Sequence, residues 1–196
     1  MTFQYIAQHL LLSLVPWLIG STLGGVIGYG IALLIKKIFI GFPGLRGLMV
    51  FAPWRTIIMV SLLLVYSPLI VVWVGLGSIA TLLTVGFFVF LLALPITTGI
   101  LIEKWYPSSI AVRLAAAART LATSSIVLTV TAGIYSTGGL GPIMIEHMSL
   151  LEYSSAYSIF LVVALITLTV DILLGILQLF LVRSTENEAL ACPMDK

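Results

Sequence analysis

Charged residues are scarce in this chain: Asp, Glu, Lys and Arg together make up 8% of its 196 residues. A water-soluble domain carries roughly 25% charged residues, so this composition and a mean hydropathy of +1.23 exclude an ordinary soluble domain. Cysteine is nearly absent too, and the single Cys192 excludes an intrachain disulfide and a thiolate metal cluster. The remaining composition, 61% hydrophobic, predicts an integral membrane protein.

Motifs for chemistry are also missing. The glycines at 138, 139 and 141 are followed by no Lys-Ser/Thr, so they do not form a phosphate loop. His9 and His147 are isolated near the predicted outer surface, and their spacing matches no metal site. No catalytic dyad or triad is recognisable, and the few cations are too scattered to bind nucleic acid. We therefore predict no enzyme activity, no cofactor and no metal, with any ATP hydrolysis left to a partner subunit.

Long apolar runs predict about five membrane-spanning helices, because a span needs about 20 apolar residues. The runs are Leu10–Ile35, Leu48–Gly77 (broken by Pro53 and Pro68), Ile79–Ile102, Ile110–Tyr135 and Ala156–Val182. Residues 138–152 predict a short outer helix, either re-entrant or lying on the surface. The predicted fold is therefore an all-α membrane protein, with one transmembrane domain over residues 1–183 and a polar cytoplasmic tail over residues 184–196. The first run lacks a preceding cationic region, so we interpret it as a retained span rather than a signal peptide.

The cations predict the orientation of these spans. They lie at or near the ends of the apolar runs: Lys36, Lys37, Arg46, Arg55, Lys104, Arg113, Arg119 and Arg183. Threaded alternately through a bilayer, almost all of them fall on one side, and the external loops around 75–78 and 136–154 contain no Lys or Arg. Since cytoplasmic loops retain Lys and Arg, we predict an external N-terminus and a cytoplasmic C-terminus.

Three glycines in the first run have the spacing of a helix-packing face. Gly20, Gly24 and Gly28 lie four residues apart, on one side of a helix. Small residues at this spacing allow close contact between membrane helices. We predict that this face packs against another helix, either within the chain or across a homodimer.

The order of these landmarks resembles the inner-membrane permease subunits of bacterial ABC importers of the nitrate, sulfonate and taurine type. The opening His9-Leu-Leu-Leu-Ser-Leu with spaced glycines and the stop at Lys36-Lys37 is similar to the first core span of that family. The segment from Pro68 through Trp73 to Gly77 resembles its proline–tryptophan–glycine element. Gly138-Gly-Leu-Gly141, followed by a short helix and a last span with Asp171, resembles its closing element. The resemblance covers roughly residues 9–183.

The resemblance implies a transmembrane subunit in the bacterial plasma (inner) membrane that imports a small solute, such as the anions nitrate, sulfonate or taurine. Its implied partners are the lipid bilayer, a second copy of the chain or other membrane subunits, a cytoplasmic ATPase and an external solute-binding protein. ATP-driven closure of the ATPases would open a central path alternately to each side.

The family's cytoplasmic coupling helix, which docks into the ATPase, is reduced or missing here. One alignment matches its motif to Ala116–Ser124, with a glutamate and a glycine both replaced by alanine. The other, which we favour, starts the fourth span at Arg113 and has the coupling helix deleted between Lys104 and Pro107. The candidate ATPase-facing remnant comprises Glu103, Lys104, Arg113, Ala116, Ala117, Ala118 and Arg119. An alternative function follows: a permease-derived scaffold or accessory subunit of a larger membrane complex that no longer transports.

Two charges fall inside predicted spans. A charge at the centre of a membrane helix is unfavourable, so it faces the protein interior or reaches the headgroups. Arg119 is therefore an anion-attracting site or a partner of an acidic group such as Asp171, unless its span begins near Leu121 and Arg119 is an ordinary cytoplasmic-end cation. Asp171 is either a functional carboxylate or a structural one that caps or pairs with a neighbouring helix.

Overall fold

The computed structural model describes residues 3–38, 68–102, 110–134 and 138–191, and every regular element in these ranges is a helix. The helices are α1 (Phe3–Ile38), α2 (Ser78–Ile102), α3 (Ile110–Ile134), α4 (Gly141–Ser149) and α5 (Tyr153–Ala191). Residues 68–74 are also helical and end at the bend over residues 75–77. The predicted all-α class is confirmed for this part of the chain.

Four of these helices are long and apolar enough to cross a membrane. They are the segments Phe3–Leu34, Ser78–Leu101, Ile110–Ile134 and Tyr153–Arg183. Each overlaps a run predicted to span. Helices α1 and α5 extend well beyond their runs because backbone hydrogen bonding continues through flanking polar residues, whereas α2 and α3 have nearly the bounds of theirs. The predicted second span, 48–77, lies outside the described residues as far as residue 67, so the structure describes four such helices and not five.

Helix α3 is the centre of the arrangement. It packs against α1, α2, α4 and α5, whereas α5 packs mainly on α3 and α4. One apolar core joins α2 to α3 through Val85, Val89, Ala93, Leu121 and Ala132, and Trp17 of α1 packs against it. A second joins α3 to the turn before α4 and to α5, through Ile126, Leu140, Ile159 and Val163. Most of the large apolar side chains on α5 remain exposed, as expected of a helix that faces lipid.

A glycine turn at residues 138–139 brings α4 close to the ends of three helices. Gly139 has φ +79°, a conformation that favours glycine. A Cβ added at Gly138 would lie 2.7 Å from Leu12 Cδ1 of α1 and 2.9 Å from Thr81 Oγ1 of α2. The turn therefore fits between α1 and α2 only because these two residues lack side chains.

Helix α4 ends in a Schellman motif whose left-handed residue is not glycine. The Glu152 N–H donates to the His147 carbonyl (2.9 Å) and the Leu151 N–H donates to the Met148 carbonyl (3.1 Å). Leu151 has φ 61°, a position that glycine usually occupies in this motif. The Leu151 side chain is 70% exposed, so packing does not offset the backbone strain.

Leu151→Gly is therefore expected to stabilise the fold by about 1 kcal/mol, because the left-handed conformation disfavours residues with a Cβ. Leu150→Gly is the matched control, since Leu150 has φ −85° and gains nothing from glycine. Unfolding of both variants in mixed micelles would measure the difference. A Leu151→Gly variant no more stable than Leu150→Gly would contradict the assignment of strain to this residue.

Candidate functional site

The glycine face of α1 packs directly on the backbone of α2. A Cβ would lie 2.6 Å from the Gly86 carbonyl oxygen at Gly20, 2.7 Å from that of Phe90 at Gly24, and 2.7 Å from that of Leu94 at Gly28. Contacts this short exclude any side chain. In contrast, a Cβ on Gly30 would meet nothing within 4 Å. The predicted packing face therefore contacts a helix of the same chain.

A buried polar cluster joins α1 to α3 near the glycine turn. The Ser125 hydroxyl donates to the Ser13 carbonyl at 2.6 Å, and the Ser13 and Thr129 hydroxyls are 2.9 Å apart. All three side chains are buried. The Thr129 hydroxyl also donates to the Ser125 carbonyl of its own helix at 2.8 Å. Hydroxyl groups that bond a carbonyl of their own helix can be buried between apolar helices without being left unpaired.

Thr129→Val is expected to destabilise the α1–α3 contact by about 0.6 kcal/mol, with about 1.7 kcal/mol as an upper bound, the range found for hydrogen bonds between membrane helices. Thr22→Val is the matched control, because the exposed Thr22 hydroxyl bonds carbonyls of its own helix, including Leu18 at 2.7 Å. Equilibrium unfolding in bicelles would compare the two. Equal stability losses would show that the Ser13–Thr129 contact contributes nothing between the helices.

His9 lies beside this cluster and is fully buried. Its ring faces the backbone of Ile126 and the glycine turn, and a Cβ on Gly139 would lie 3.0 Å from its Nδ1. Neither ring nitrogen has a partner of good hydrogen-bond geometry in the described ranges. Sequence reasoning placed His9 near the outer surface, at the start of the segment that resembles the family's first core span, and gave it no partner. Its burial depends on a turn about 130 residues further along the chain, which no local pattern reveals.

The two intramembrane charge candidates form an ion pair. Arg119 Nε donates to Asp171 Oδ1 at 2.6 Å, and Arg119 Nη2 donates to Asp171 Oδ2. Both carboxylate oxygens therefore meet one guanidinium, the bidentate geometry that Arg favours. The side chains remain 37% and 33% exposed at the surface of the bundle. Of the three roles considered for Arg119 from the sequence, pairing with Asp171 is the one seen in the structure.

The pair lies close to the middle of both helices. Arg119 is three residues from Ala122, the midpoint of the span Ile110–Ile134, and Asp171 is three residues from Leu168, the midpoint of Tyr153–Arg183. Three residues correspond to about 4.5 Å along a helix axis. Because α3 and α5 run in opposite directions, both charges lie on the same side of the midpoints.

Gly175 lets the guanidinium approach α5. It lies one turn after Asp171, and a Cβ there would be 3.2 Å from Arg119 Nη1 and 3.3 Å from Cζ. Arg119 therefore lies against the backbone of α5 beside the carboxylate. Sequence reasoning did not single out Gly175; the spacing Asp171-x-x-x-Gly175 is the signal that could have found it.

The bidentate arrangement is electrically neutral and leaves neither charge free. An anion would have to displace Asp171 to bind Arg119, and a cation would have to displace Arg119. Separating a pair in apolar surroundings is unfavourable because it leaves each charge uncompensated. The geometry is therefore that of a clamp between α3 and α5.

The candidate ATPase-facing residues fall on different parts of the chain. Glu103 and Lys104 lie outside the described residues. Arg113 and Ala116–Ala118 lie on α3, which continues unbroken from Ile110 to Ile134. The Ala118 carbonyl accepts a hydrogen bond from Trp17 Nε1 of α1 (3.1 Å). The Ala116–Ser124 segment thus belongs to a continuous helix that contacts α1, with Leu121 and Ala122 buried.

An open groove of about 670 Å³ lies between α3 and α5, on the α4 side of the clamp. We call it the α3–α5 groove. Its lining includes Val127 and Val130 of α3, Met144 of α4, Phe160 and Val163 of α5, and Asp171 at its inner end. Of the two charges, Asp171 lines the groove directly.

Polar groups elsewhere in the described ranges form no metal centre. No three His, Cys, Asp or Glu side chains come together there. His147 Nδ1 and Glu152 Oε2 are 2.7 Å apart at the end of α4, as a pair only.

No protein-family model, curated protein or solved structure matches this chain.

Proposed function

We propose that this chain is a permease-type transmembrane subunit of an ATP-driven ABC importer in the bacterial inner membrane. In this proposal it crosses the membrane five times, with its N-terminus outside and its C-terminus inside. It assembles as a homodimer or with other membrane subunits, and a cytoplasmic ATPase and an external binding protein serve it. Its cargo is a small solute such as nitrate, a sulfonate or taurine.

The clamp between Arg119 and Asp171 is the observation that carries this proposal. Ionisable residues near the middle of membrane helices are unfavourable, and they mark solute pathways or the contacts that control them. Here the pair joins α3, the hub of the described bundle, to α5, which packs mainly on α3 and α4. A helix attached through few neighbours and one polar clamp can shift against the rest of the bundle, as alternating access requires.

The ion pair between Arg119 and Asp171 has no net charge, and this affects how the transported solute could be recognised. Because Asp171 already neutralises Arg119, the pair supports a role in helix attachment more than in direct anion binding. Solute selection in this proposal is left to the external binding protein and to a path formed with the second subunit.

A second candidate function, the non-transporting scaffold, is favoured by a separate observation. Residues 103–109 are all that separates α2 from α3 along the chain, and the Ala116–Ser124 segment is part of the continuous helix α3. The Ala116–Ser124 segment therefore forms no separate helix that could project toward an ATPase. In this alternative the chain holds other membrane proteins together and transports nothing.

Affinity purification of the full chain from its own host membranes in a mild detergent separates the two functions. Recovery of a stoichiometric nucleotide-binding subunit supports the importer. Recovery of other membrane subunits without any ATPase overturns the importer and supports the scaffold. Asp171→Asn is a useful second bait: in the importer, the fraction of the variant that assembles should retain the ATPase but show no uptake in proteoliposomes supplied with ATP.

The native cysteine tests the proposed orientation. Cys192 is the single cysteine of the chain, so an impermeant maleimide added to intact spheroplasts should leave the wild type unlabelled. Ser149→Cys in a Cys192→Ser background should be labelled under the same conditions. Labelling of Cys192 from outside would reverse the proposed topology.

A further inference from the structure

We infer that the α3–α5 groove binds one acyl chain of a phospholipid from the membrane leaflet on the α4 side. This inference goes beyond transport, and it depends on the proposed function only for the placement of α3 and α5 across a bilayer.

The position of the groove matches the hydrocarbon of one leaflet. From Phe160 to Asp171 it follows three turns of α5, about 16 Å at 1.5 Å per residue. Half of a bilayer's hydrocarbon core is about 15 Å thick. Phe160 lies about 12 Å from the midpoint of the α5 span and Asp171 lies about 4.5 Å beyond it, so the groove covers nearly the whole depth of that leaflet.

The walls offer an apolar surface and few free hydrogen-bonding groups. The Thr167 hydroxyl donates to the Val163 carbonyl of its own helix at 2.8 Å. The Thr123 hydroxyl likewise bonds carbonyls of α3, at 3.0 Å to Thr120. The Asp171 carboxylate is engaged by Arg119. A polar solute would find little to replace its lost water, whereas an acyl chain needs only apolar contact.

The floor and outer end of the groove also favour a chain that enters from the headgroup region. Met144 of α4 and Phe160 of α5 line its outer part, next to the start of α5 at Tyr153. Met144 is a flexible, polarizable side chain that adapts to irregular apolar ligands. The clamp closes the inner end, because Arg119 ties α3 to α5 there.

Filling the groove tests the inference. Ala164 lines the groove and Leu165 is its neighbour, 62% exposed and outside the groove lining. Three proteins are compared as full chains: the wild type, Ala164→Phe and Leu165→Phe. Each is reconstituted with phosphatidylcholine that carries a nitroxide near the end of one acyl chain. The motionally restricted fraction of the electron spin resonance spectrum is then measured at several lipid-to-protein ratios.

We expect Ala164→Phe to lose one restricted lipid per chain, while Leu165→Phe keeps the wild-type number. Equal numbers in all three proteins would overturn the inference and leave the membrane placement intact. A complete absence of restricted lipid would overturn both the inference and the placement of these helices in a bilayer. Neither result depends on whether an ATPase co-purifies with the chain. The affinity purification therefore tests the importer proposal independently of this lipid-binding experiment.

Two further variants keep the test decisive. Ala164→Leu fills less of the groove and serves if Ala164→Phe does not fold, as judged by helical circular dichroism. Thr167→Val removes a hydroxyl with almost no change in volume, so it should leave the restricted lipid unchanged. A loss on Thr167→Val equal to that on groove filling would overturn the inference, because apolar contact with the groove walls would then not explain the restricted chain.

Discussion

Gly24→Leu is expected to separate α1 from α2 and to prevent the described bundle from assembling. Even the first carbon of a side chain would lie 2.7 Å from both the Phe90 carbonyl oxygen and Ala93 Cβ, and the first of these atoms belongs to a helix backbone that cannot turn away. Gly24→Ala is the milder test, with an expected destabilisation of about 1–3 kcal/mol, the usual cost of overpacking. Unfolding by sodium dodecyl sulfate in mixed micelles would measure both.

Gly30→Ala is the control for this prediction, and its expected effect has the opposite sign. A Cβ at Gly30 meets nothing within 4 Å. Replacing an unpacked glycine inside a helix by alanine favours the helix by about 0.8–1.0 kcal/mol. If Gly24→Ala and Gly30→Ala shifted stability in the same direction, the α1–α2 interface would not depend on backbone contact.

Asp171→Asn is expected to lower the yield of correctly assembled protein several-fold, because it leaves the Arg119 guanidinium without its carboxylate between two apolar helices. A lone charge near the middle of a membrane helix is unfavourable, and the helix can shift to expose it. Arg119→Met should have a similar effect by leaving Asp171 unpaired. The double variant, which removes both charges, should recover most of the yield.

This recovery is the diagnostic result, because coupling between two residues appears only when each single variant is compared with the double variant. Yield after detergent extraction and size-exclusion chromatography would be measured for all four proteins. Additive losses would mean that the two charges act independently. Gly175→Leu supplies a further comparison: it keeps both charges but fills the space in which the guanidinium lies, so it should behave like a single-charge variant.

Local pattern was sufficient for the helices themselves. Long apolar runs in a membrane satisfy their backbone hydrogen bonds internally only as helices, so the sequence predicts helices around 10–35, 79–102, 110–135 and 156–182. Their ends were less readable, as α5 shows: it begins at Tyr153 and continues past Arg183 to Ala191. The runs predict where a helix is apolar, whereas polar flanking residues extend a helix without any apolar signal.

The candidate site divides in the same way. The presence of Arg119 and Asp171 inside apolar runs was evident from sequence, because charges there are rare. Their bidentate pairing was not, because it depends on the rotation of α3 against α5 and on the space above Gly175. The burial of His9 and the hydrogen bonds among Ser13, Ser125 and Thr129 were likewise unreadable, since Ser and Thr occur on all faces of membrane helices.

The amino-acid sequence by itself determined that this chain is apolar and helical, with a glycine face and two charges inside long apolar runs, because these properties belong to single residues and their spacing. Only the tertiary structure decided which helix the glycines touch, which charge meets which, and where a groove remains open. The reason is physical: contact between helices depends on their rotation and separation, which are set by the close fit of small residues and turns far apart in the chain.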